Sequence, residues 1–349
     1  MTGLAGVASG TVSAVEITTV ADDMVVLHTR GVAHRVEGLS PDADHHVHGV
    51  EVRTLPRPGG ELLTRFATVN DVHFGEQECG RIDDHPEGPI QRSGPGEPPY
   101  PETMNRAAIA EIAAIDPAAV IAKGDLTDRG RPHEFAAFEG HYRTTFGDRL
   151  VAVRGNHDGY EVDDQYAGDQ WIDLPGVAVA LIDTVNPGTT PGTIRPDTLD
   201  WLDTLAAEAD RPVIVMGHHQ QWIDGADNSH RSAGYFGIHP DASDALSEVV
   251  ARRTNIIAYT SGHTHRHRVR YMPCGVPSIE IGCVKDFPGT WAEYRVYEGG
   301  VMQVVHRISA PEALAWSERC RVLYRDFGVD YESYAMGRLD ERCRTIELR

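Results

Sequence analysis

Residues 118–125 read AAVIAKGD, an apolar run that ends in a glycine and a carboxylate. Similar runs, each stopping just before a polar side chain, recur at four other places along the chain. Continuous apolar runs are typical of strands buried on both faces of a sheet. In α/β folds the carboxyl ends of such strands hold ligands, and a glycine there lets the backbone turn sharply and approach an ion. The sequence therefore predicts a functional site at one edge of a sheet.

The five strand ends carry oxygen and imidazole donors. They are Asp71, His73, Asp125, Asn156, His218, His263 and His265. Seven donors are too many for one ion and enough for two hard or borderline metal ions. The absence of cysteine from the set argues against a closed structural zinc site, and Fe, Mn, Zn and Co all suit these donors.

Strand-like and helical patterns alternate after Leu62, which predicts an α/β architecture with much parallel sheet. The predicted strands are 66–69, 118–122, 150–153, 177–182, 213–216, 256–259 and 276–281. The predicted helices are 104–115, 133–146, 199–207, 242–252 and 311–324. Residues 78–102 carry no periodicity and are rich in Pro and Gly, so we expect a long loop that is either a rim or lid, a binding loop or a disordered segment.

These patterns divide the chain into three predicted segments. Residues 1–60 form a small β-module with predicted strands at 12–20, 24–28 and about 46–53. Residues 61–308 form the main domain, and residues 309–349 form a helical extension that packs on the core or on a second subunit. His46 and His48 share a face of the third predicted strand, and we interpret them as exposed residues rather than metal ligands.

The composition and net charge of the chain restrict the classes of partner that it is expected to bind. The chain has 349 residues, of which 41% are hydrophobic, and a formal net charge of −20. That charge disfavours nucleic-acid polymers and anionic membranes as partners. The five cysteines lack CxxC spacing, and neither a signal peptide nor a long apolar segment is evident. We therefore expect a cytoplasmic protein with reduced thiols.

The order of the motifs resembles the calcineurin-like metallophosphoesterase superfamily, in which D-x-H, GD, GNH[D/E], a single H and GHxH follow one another. The resemblance covers about Leu62 to Ile308. The stretches GDLTDRG at 124–130 and LIDT at 181–184 are similar to bacterial class III cyclic-nucleotide phosphodiesterases. The family fold is a four-layer αββα sandwich with two central mixed sheets, here accompanied by the small N-terminal β-module and the C-terminal helical tail.

The resemblance also implies roles for individual residues. It divides the seven donors between two ions: Asp71, His73 and His265 on one, Asn156, His218 and His263 on the other, and Asp125 on both. His157 is expected over the substrate phosphate, with Asp158 either orienting His157 or supporting its loop. Arg129 either contacts phosphate or lies on the surface. His219 either faces the pocket or is structural.

Two metal ions in such a site generate a bridging hydroxide that attacks phosphorus in line, while His157 stabilises charge or protonates the leaving group. The predicted function is thus hydrolysis of a small phosphodiester, with 3′,5′-cyclic AMP-type nucleotides as the leading substrate. A broad-specificity or glycerophosphodiester phosphodiesterase is the first alternative, and a phosphomonoesterase or protein phosphatase the second. Gln220-Gln221-Trp222 replaces the Pro-Pro of many relatives beside the cleft. A non-catalytic scaffold is disfavoured because every ligand position is filled.

Overall fold

A computed structural model describes residues 15–29, 31–82, 85, 87–161, 164–225, 231 and 234–349. The strands in this part of the chain are β1 Glu16–Val20, β2 Met24–Thr29, β3 Val32–Glu37, β4 Asp44–Val47, β5 Val50–Arg53, β6 Leu62–Val69, β7 Val120–Lys123, β8 Leu150–Val153, β9 Gln170–Leu174, β10 Val177–Leu181, β11 Val213–Met216, β12 Ile256–Ser261, β13 Arg268–Tyr271, β14 Pro277–Glu280, β15 Thr290–Tyr297, β16 Gly300–Arg307 and β17 Arg344–Glu347.

The helices are α1 Tyr100–Ala114, α2 Pro132–Phe138, α3 Thr144–Phe146, α4 Pro196–Glu208, α5 Pro240–Arg252, α6 Pro311–Cys320, α7 Tyr331–Met336 and α8 Leu339–Arg342. A π-helical turn at Glu139–Arg143 joins α2 to α3, so the helix predicted over 133–146 is divided. Within the described residues, no helix combines the length and apolar character needed to cross a membrane.

Two six-stranded sheets form the centre of the molecule. The first has the order β17-β16-β15-β6-β7-β8, with β6, β7 and β8 parallel and β15 antiparallel to β6. The second has the order β13-β14-β12-β11-β10-β9, with four parallel inner strands and two antiparallel edges. Both sheets are therefore mixed, as the family resemblance implies.

Apolar packing arranges the sheets and helices in four layers. One core lies between the sheets, where the rings of Phe66 and Tyr294 stack at 4.7 Å. A second core joins the outer face of the first sheet to α1, α2 and α6, and a third joins the second sheet to α4 and α5. The predicted αββα sandwich is confirmed.

The N-terminal residues form a three-stranded sheet, β1-β2-β3, and a separate β4-β5 hairpin. The single strand predicted near 46–53 is wrong, because His48 adopts φ 48° in a turn between β4 and β5. That turn also removes the strand face that His46 and His48 were expected to share. The strand predicted from residue 12 is described from Glu16 onward, and residues 12–14 lie outside the described part.

The C-terminal segment packs on the core of its own chain. The Trp316 ring of α6 stacks on Tyr100 of α1 at 4.2 Å. The segment is not wholly helical, because β17 pairs with β16 at the edge of the first sheet. This strand was missed because Arg344–Glu347 is short and contains one buried apolar side chain, Ile346.

Candidate metal centre

The predicted ligands meet where strand ends of the two sheets converge. Asp71 and Asp125 are both buried there. The Nε2 atoms of His73 and His218 lie 3.5 and 3.2 Å from Oδ2 of Asp125, on which both imidazoles converge. The Nε2 atom of His265 lies 3.4 Å from Oδ1 of Asp71.

The donors fall into overlapping groups whose ligand atoms all lie within 4.8 Å of one another. The groups include Asp71, His73 and His265; Asp71, Asp125 and His218; His73, Asp125 and His157; and His218, His219 and His263. Oδ1 of Asn156 lies 3.1 Å from Nε2 of His218, which places it with the last group. All seven predicted donors are thus brought to one place.

The backbone at this edge is sharply turned. Left-handed φ values between 48° and 68° occur at Asp71, His73, Asp125, His263 and His265. Non-glycine residues adopt this conformation at a cost, and they concentrate at functional sites. Gly155 and Gly262 allow close approach, because an added Cβ would lie 2.3 Å from Oδ1 of Asp125 and 2.6 Å from Oδ2 of Asp71, respectively.

The donor set fits divalent metal ions. His73 is buried, yet neither of its ring nitrogens has a hydrogen-bond partner among the described residues. A buried polar atom without a partner is costly, and an ion bound to the ring would remove that cost. Carboxylate, amide and imidazole donors without thiolate suit Fe, Mn, Zn or Co.

Asp71, Asp125 and His263 have charge states that suit metal binding, whereas the charge of Asp125 outweighs burial at His218 and raises the pKa of that imidazole to about 9. Burial by itself raises the pKa of Asp125, but the charges of His218 and His157 lower it well below its usual value. His265 lowers the pKa of Asp71 in the same way against burial. Burial lowers the pKa of His263 to about 3, so this imidazole is neutral and its lone pair can bind an ion.

The far side of three of the four predicted ligand imidazoles is also held. Nδ1 of His218 lies 3.0 Å from the carbonyl oxygen of Lys123, and Nε2 of His263 lies 3.0 Å from that of Phe236. Nδ1 of His265 lies 3.1 Å from Oδ2 of Asp286. Such partners fix the tautomer and the ring orientation of a metal ligand. Sequence reasoning missed Asp286, although it follows the predicted strand 276–281 as a carboxylate shortly after a strand end.

His157 faces a cavity of about 880 Å³ beside the ligands. Its Nδ1 lies 2.7 Å from the carbonyl oxygen of Asp128, and its backbone N–H donates to Oδ1 of Asp125 at 2.9 Å. Its ring packs edge-on against His73 at 4.5 Å. His157 is therefore oriented by Asp128 rather than by Asp158.

Asp158 is fully buried and supports the loop instead. Its carboxylate accepts hydrogen bonds from the backbone N–H groups of Leu126, Thr127 and Gly155, and from the Thr127 hydroxyl. Burial and the charge of Asp125 raise its pKa to about 6. Of the two roles expected for Asp158, this arrangement favours support of the loop over orientation of His157.

Arg129 and His219 differ in their surroundings. Arg129 is exposed on the cavity wall, and its guanidinium has no ion-pair partner among the described residues. His219 is buried, with Nδ1 2.8 Å from Thr184 Oγ1 and Nε2 3.0 Å from the carbonyl oxygen of Thr190. Both ring nitrogens of His219 are occupied, which favours its structural interpretation over substrate binding.

The sequence analysis singled out two loops near the predicted ligands. Gln77, Glu78, Arg81 and Ile82 line the cavity, so the start of the predicted 78–102 loop forms part of its rim. The loop ends at Tyr100, where α1 begins. The Gln220–Trp222 segment is buried and is bonded to α5 through Ser243.

Comparison with known proteins agrees with this arrangement. Residues 64–267, more than half of the chain, match the family model of the calcineurin-like phosphoesterases. A probable cyclic nucleotide phosphodiesterase of Synechococcus is 25% identical over 166 residues, which cover 46% of this chain and 62% of that protein. A cAMP/cGMP dual specificity phosphodiesterase of Mycobacterium tuberculosis is 28% identical over 168 residues, covering 44% and 50%. The chain therefore spans half to somewhat under two thirds of these relatives.

The fold also has a solved counterpart. A dimetal phosphatase from Danio rerio superposes with a TM-score of 0.53 at 14% sequence identity. The likeness covers 71% of this chain and 98% of that protein. At this identity it shows a shared fold.

Proposed function

The chain belongs to the calcineurin-like phosphoesterase family, and we propose that it hydrolyses small phosphodiesters with two metal ions. The leading substrates are cyclic nucleotides of the 3′,5′-cyclic AMP type. We assign the activity to residues 61–308.

The observation that carries the proposal is the place of Asp125. Its Oδ2 atom lies within 3.5 Å of imidazole nitrogens from both expected ligand sets, His73 on one side and His218 on the other. A carboxylate in that position can bind two ions at once. Two ions bound there would lower the pKa of a coordinated water and offset charge on the phosphate oxygens.

The remaining residues act on the substrate. The Asp128 carbonyl oxygen holds Nδ1 of His157, which leaves Nε2 as the ring nitrogen available to the substrate. When the ring is protonated, His157 can donate the proton on Nε2 to the leaving alkoxide. The guanidinium of Arg129 on the same cavity wall supplies a positive charge for a phosphate.

The volume of the cavity and the similarity to named phosphodiesterases both support this substrate class. Ligand pockets usually measure about 300–1,000 Å³, and the cavity of about 880 Å³ has room for a nucleotide. The two relatives described above carry cyclic-nucleotide names. Glycerophosphodiesters and phosphomonoesters are the alternatives, because the same attack on phosphorus serves each of them.

The test compares wild-type protein with Asp125→Asn, using Asp210→Asn as the matched control. Asp210 is a surface residue that pairs with Arg211, so the same carboxylate-to-amide change there should alter nothing. Cyclic AMP, bis(p-nitrophenyl) phosphate and p-nitrophenyl phosphate are assayed side by side, and metal content is measured by elemental analysis. We expect two metals and diesterase activity in the wild type and the control, and loss of both in Asp125→Asn.

Other outcomes would change the assignment. Activity confined to p-nitrophenyl phosphate would favour a phosphomonoesterase. Asp125→Asn protein with its full metal content would remove Asp125 from the ligand set.

A further inference from the structure

We propose that α7, which lies beyond the family-matched residues, positions the metal ligand His265 through Asp286. Tyr331 is the residue of α7 that fixes the Asp286 carboxylate. The inference rests on the proposed function, because it takes His265 as a ligand. It adds a positioning role for the C-terminal segment.

Asp286 is the direct partner of His265. Nδ1 of His265 lies 3.1 Å from Oδ2 of Asp286, while Nε2 of the same ring lies 3.4 Å from Oδ1 of Asp71. A proton held on Nδ1 by the carboxylate leaves the Nε2 lone pair directed toward Asp71 and the metal. Asp286 therefore selects the tautomer that can bind an ion.

Asp286 is in turn held by its neighbours. The Tyr331 hydroxyl donates to Oδ1 of Asp286 at 2.9 Å, and the Cys283 thiol donates to the same atom at 2.9 Å. Asp286, Cys283 and Tyr331 are all buried. In a buried network each bond depends on the others, so loss of the Tyr331 hydroxyl weakens the hold on the carboxylate and on His265.

The same helix also holds the backbone of the ligand loop. The Tyr334 hydroxyl donates to the carbonyl oxygen of Thr264 at 3.0 Å. The N–H of His267 donates to the carbonyl oxygen of Ala335 at 3.0 Å. The guanidinium of Arg266 lies over the Tyr334 ring at 5.0 Å. These contacts flank His265 on both sides, so α7 fixes the main chain as well as the imidazole.

The other ligand set is supported from within the family-matched residues. His218 has the carbonyl oxygen of Lys123, and His263 has that of Phe236. The Asn156 amide donates to the Tyr160 hydroxyl at 2.8 Å. A change in α7 should therefore affect the ion at Asp71, His73 and His265, and leave the other ion in place.

The test is Tyr331→Phe, with Tyr294→Phe as the matched control. Tyr294 is also buried and donates its hydroxyl to Gln303 at 3.3 Å, but it lies between the sheets. Chelated full-length proteins are titrated with Co²⁺ and followed by absorption, and bound cobalt is counted by elemental analysis. We expect one of two Co²⁺ ions to bind about 10- to 100-fold more weakly in Tyr331→Phe, with the other unchanged.

Asp286→Asn should give the same selective loss, and the control should bind both ions as the wild type does. Thermal unfolding of the chelated variants separates positioning from general instability, since the two Tyr→Phe proteins should unfold alike. Wild-type affinity at both sites in Tyr331→Phe and Asp286→Asn, or equal weakening of both, would overturn the inference. Wild-type protein that binds fewer than two Co²⁺ would instead overturn the proposed function, and with it the premise.

Discussion

His157 is held by its backbone and by one ring nitrogen, and its other ring nitrogen remains available to the cavity. It was predicted to act on the substrate rather than to bind metal. His157 also lies with His73 and Asp125 in one of the donor groups, so its separation from the metal ligands stays a prediction.

His157→Ala should keep both metals and lower kcat by about 10²- to 10⁴-fold, because the variant cannot stabilise charge or protonate the leaving group. Steady-state kinetics on the best substrate and elemental analysis of the same sample measure the two effects. His133→Ala is the control, since its side chain is 74% exposed on α2. An undiminished kcat in His157→Ala would remove this residue from the chemistry.

For individual residues, the sequence is informative where the pattern that marks a residue lies next to it in the chain. Asp125 and the other predicted ligands each follow an apolar run. Such a run can be recognised in the sequence without knowing which distant residue it contacts. Asp286 and Tyr331 could not be paired in the same way, because they are 45 positions apart and their contact depends on how α7 docks. The orienting role of the Asp128 carbonyl oxygen was equally hidden, since every residue has a carbonyl group.

The N-terminal sheet is joined to the first central sheet by polar contacts as well as apolar ones. The Thr19 hydroxyl donates to the carbonyl oxygen of Val305 in β16 at 2.7 Å. Arg295 of β15 pairs with Asp22 at 2.7 Å, and both side chains are buried. Burial of such a pair makes each partner depend on the other. The N-terminal residues thus complete the packing of the first sheet.

We expect His28 to make this junction sensitive to acid. Burial, followed by the charge of Arg307, lowers the pKa of His28 to about 4, although Glu16 and Glu318 act in the opposite direction and Arg321 adds to the lowering. The unfolded chain takes up this proton near pH 6.5, so stability from neutral His28 is present above that pH. It is lost as the pH falls from about 6.5 through 4.

We expect the free energy of unfolding of the chelated wild type to fall by about 2 kcal/mol more between pH 7 and pH 5 than that of His28→Gln. Glutamine removes the titrating group and keeps a hydrogen-bonding side chain near Thr18. Denaturant titrations at the two pH values measure the difference. His46→Gln, on the exposed β4-β5 hairpin, should retain the wild-type fall, and an equal fall in His28→Gln would contradict the assignment.

The sequence analysis does not predict β15 and β16, and these two strands show where sequence patterns fail. β15 and β16 are buried along their whole length, yet they contain Glu293, Arg295 and Arg307. Glu293 and Arg295 pair with each other, but other partners lie far away in the sequence, as Glu16 does from Arg307 at 2.8 Å. A strand that buries charge in this way lacks the apolar run by which β7 or β11 can be recognised.

On the scale of the whole molecule, the site connects the two central sheets. Asp71, Asp125 and Asn156 follow strands of the first sheet, whereas His218 and His263 follow strands of the second. Ions bound between them would therefore hold the sheets together as well as serve the reaction. Without the ions, Asp71 and Asp125 remain buried carboxylates in a turned backbone.

Removal of metal by a chelator should lower the thermal unfolding midpoint of the wild type. An ion present at 100 times its Kd adds about 2.7 kcal/mol to stability for each site. Calorimetry before chelation, after chelation and after addition of Mn²⁺ measures the change and its reversal. Asp125→Asn should respond much less to the chelator, and an unchanged wild-type midpoint would argue against ions that join the sheets.

The contacts of α7 with the loop around His265 have a consequence for protein synthesis. The ribosome makes Asp71 early and Tyr331 late, and the support of His265 needs both the second sheet and α7. A nascent chain that extends past His265 but has not yet released Tyr331 carries all seven predicted ligands and lacks one of the groups that orient Asp286. We therefore expect the ion at Asp71, His73 and His265 to bind at full affinity only after synthesis of α7, whereas the ion at Asn156, His218 and His263 needs no residue of α7.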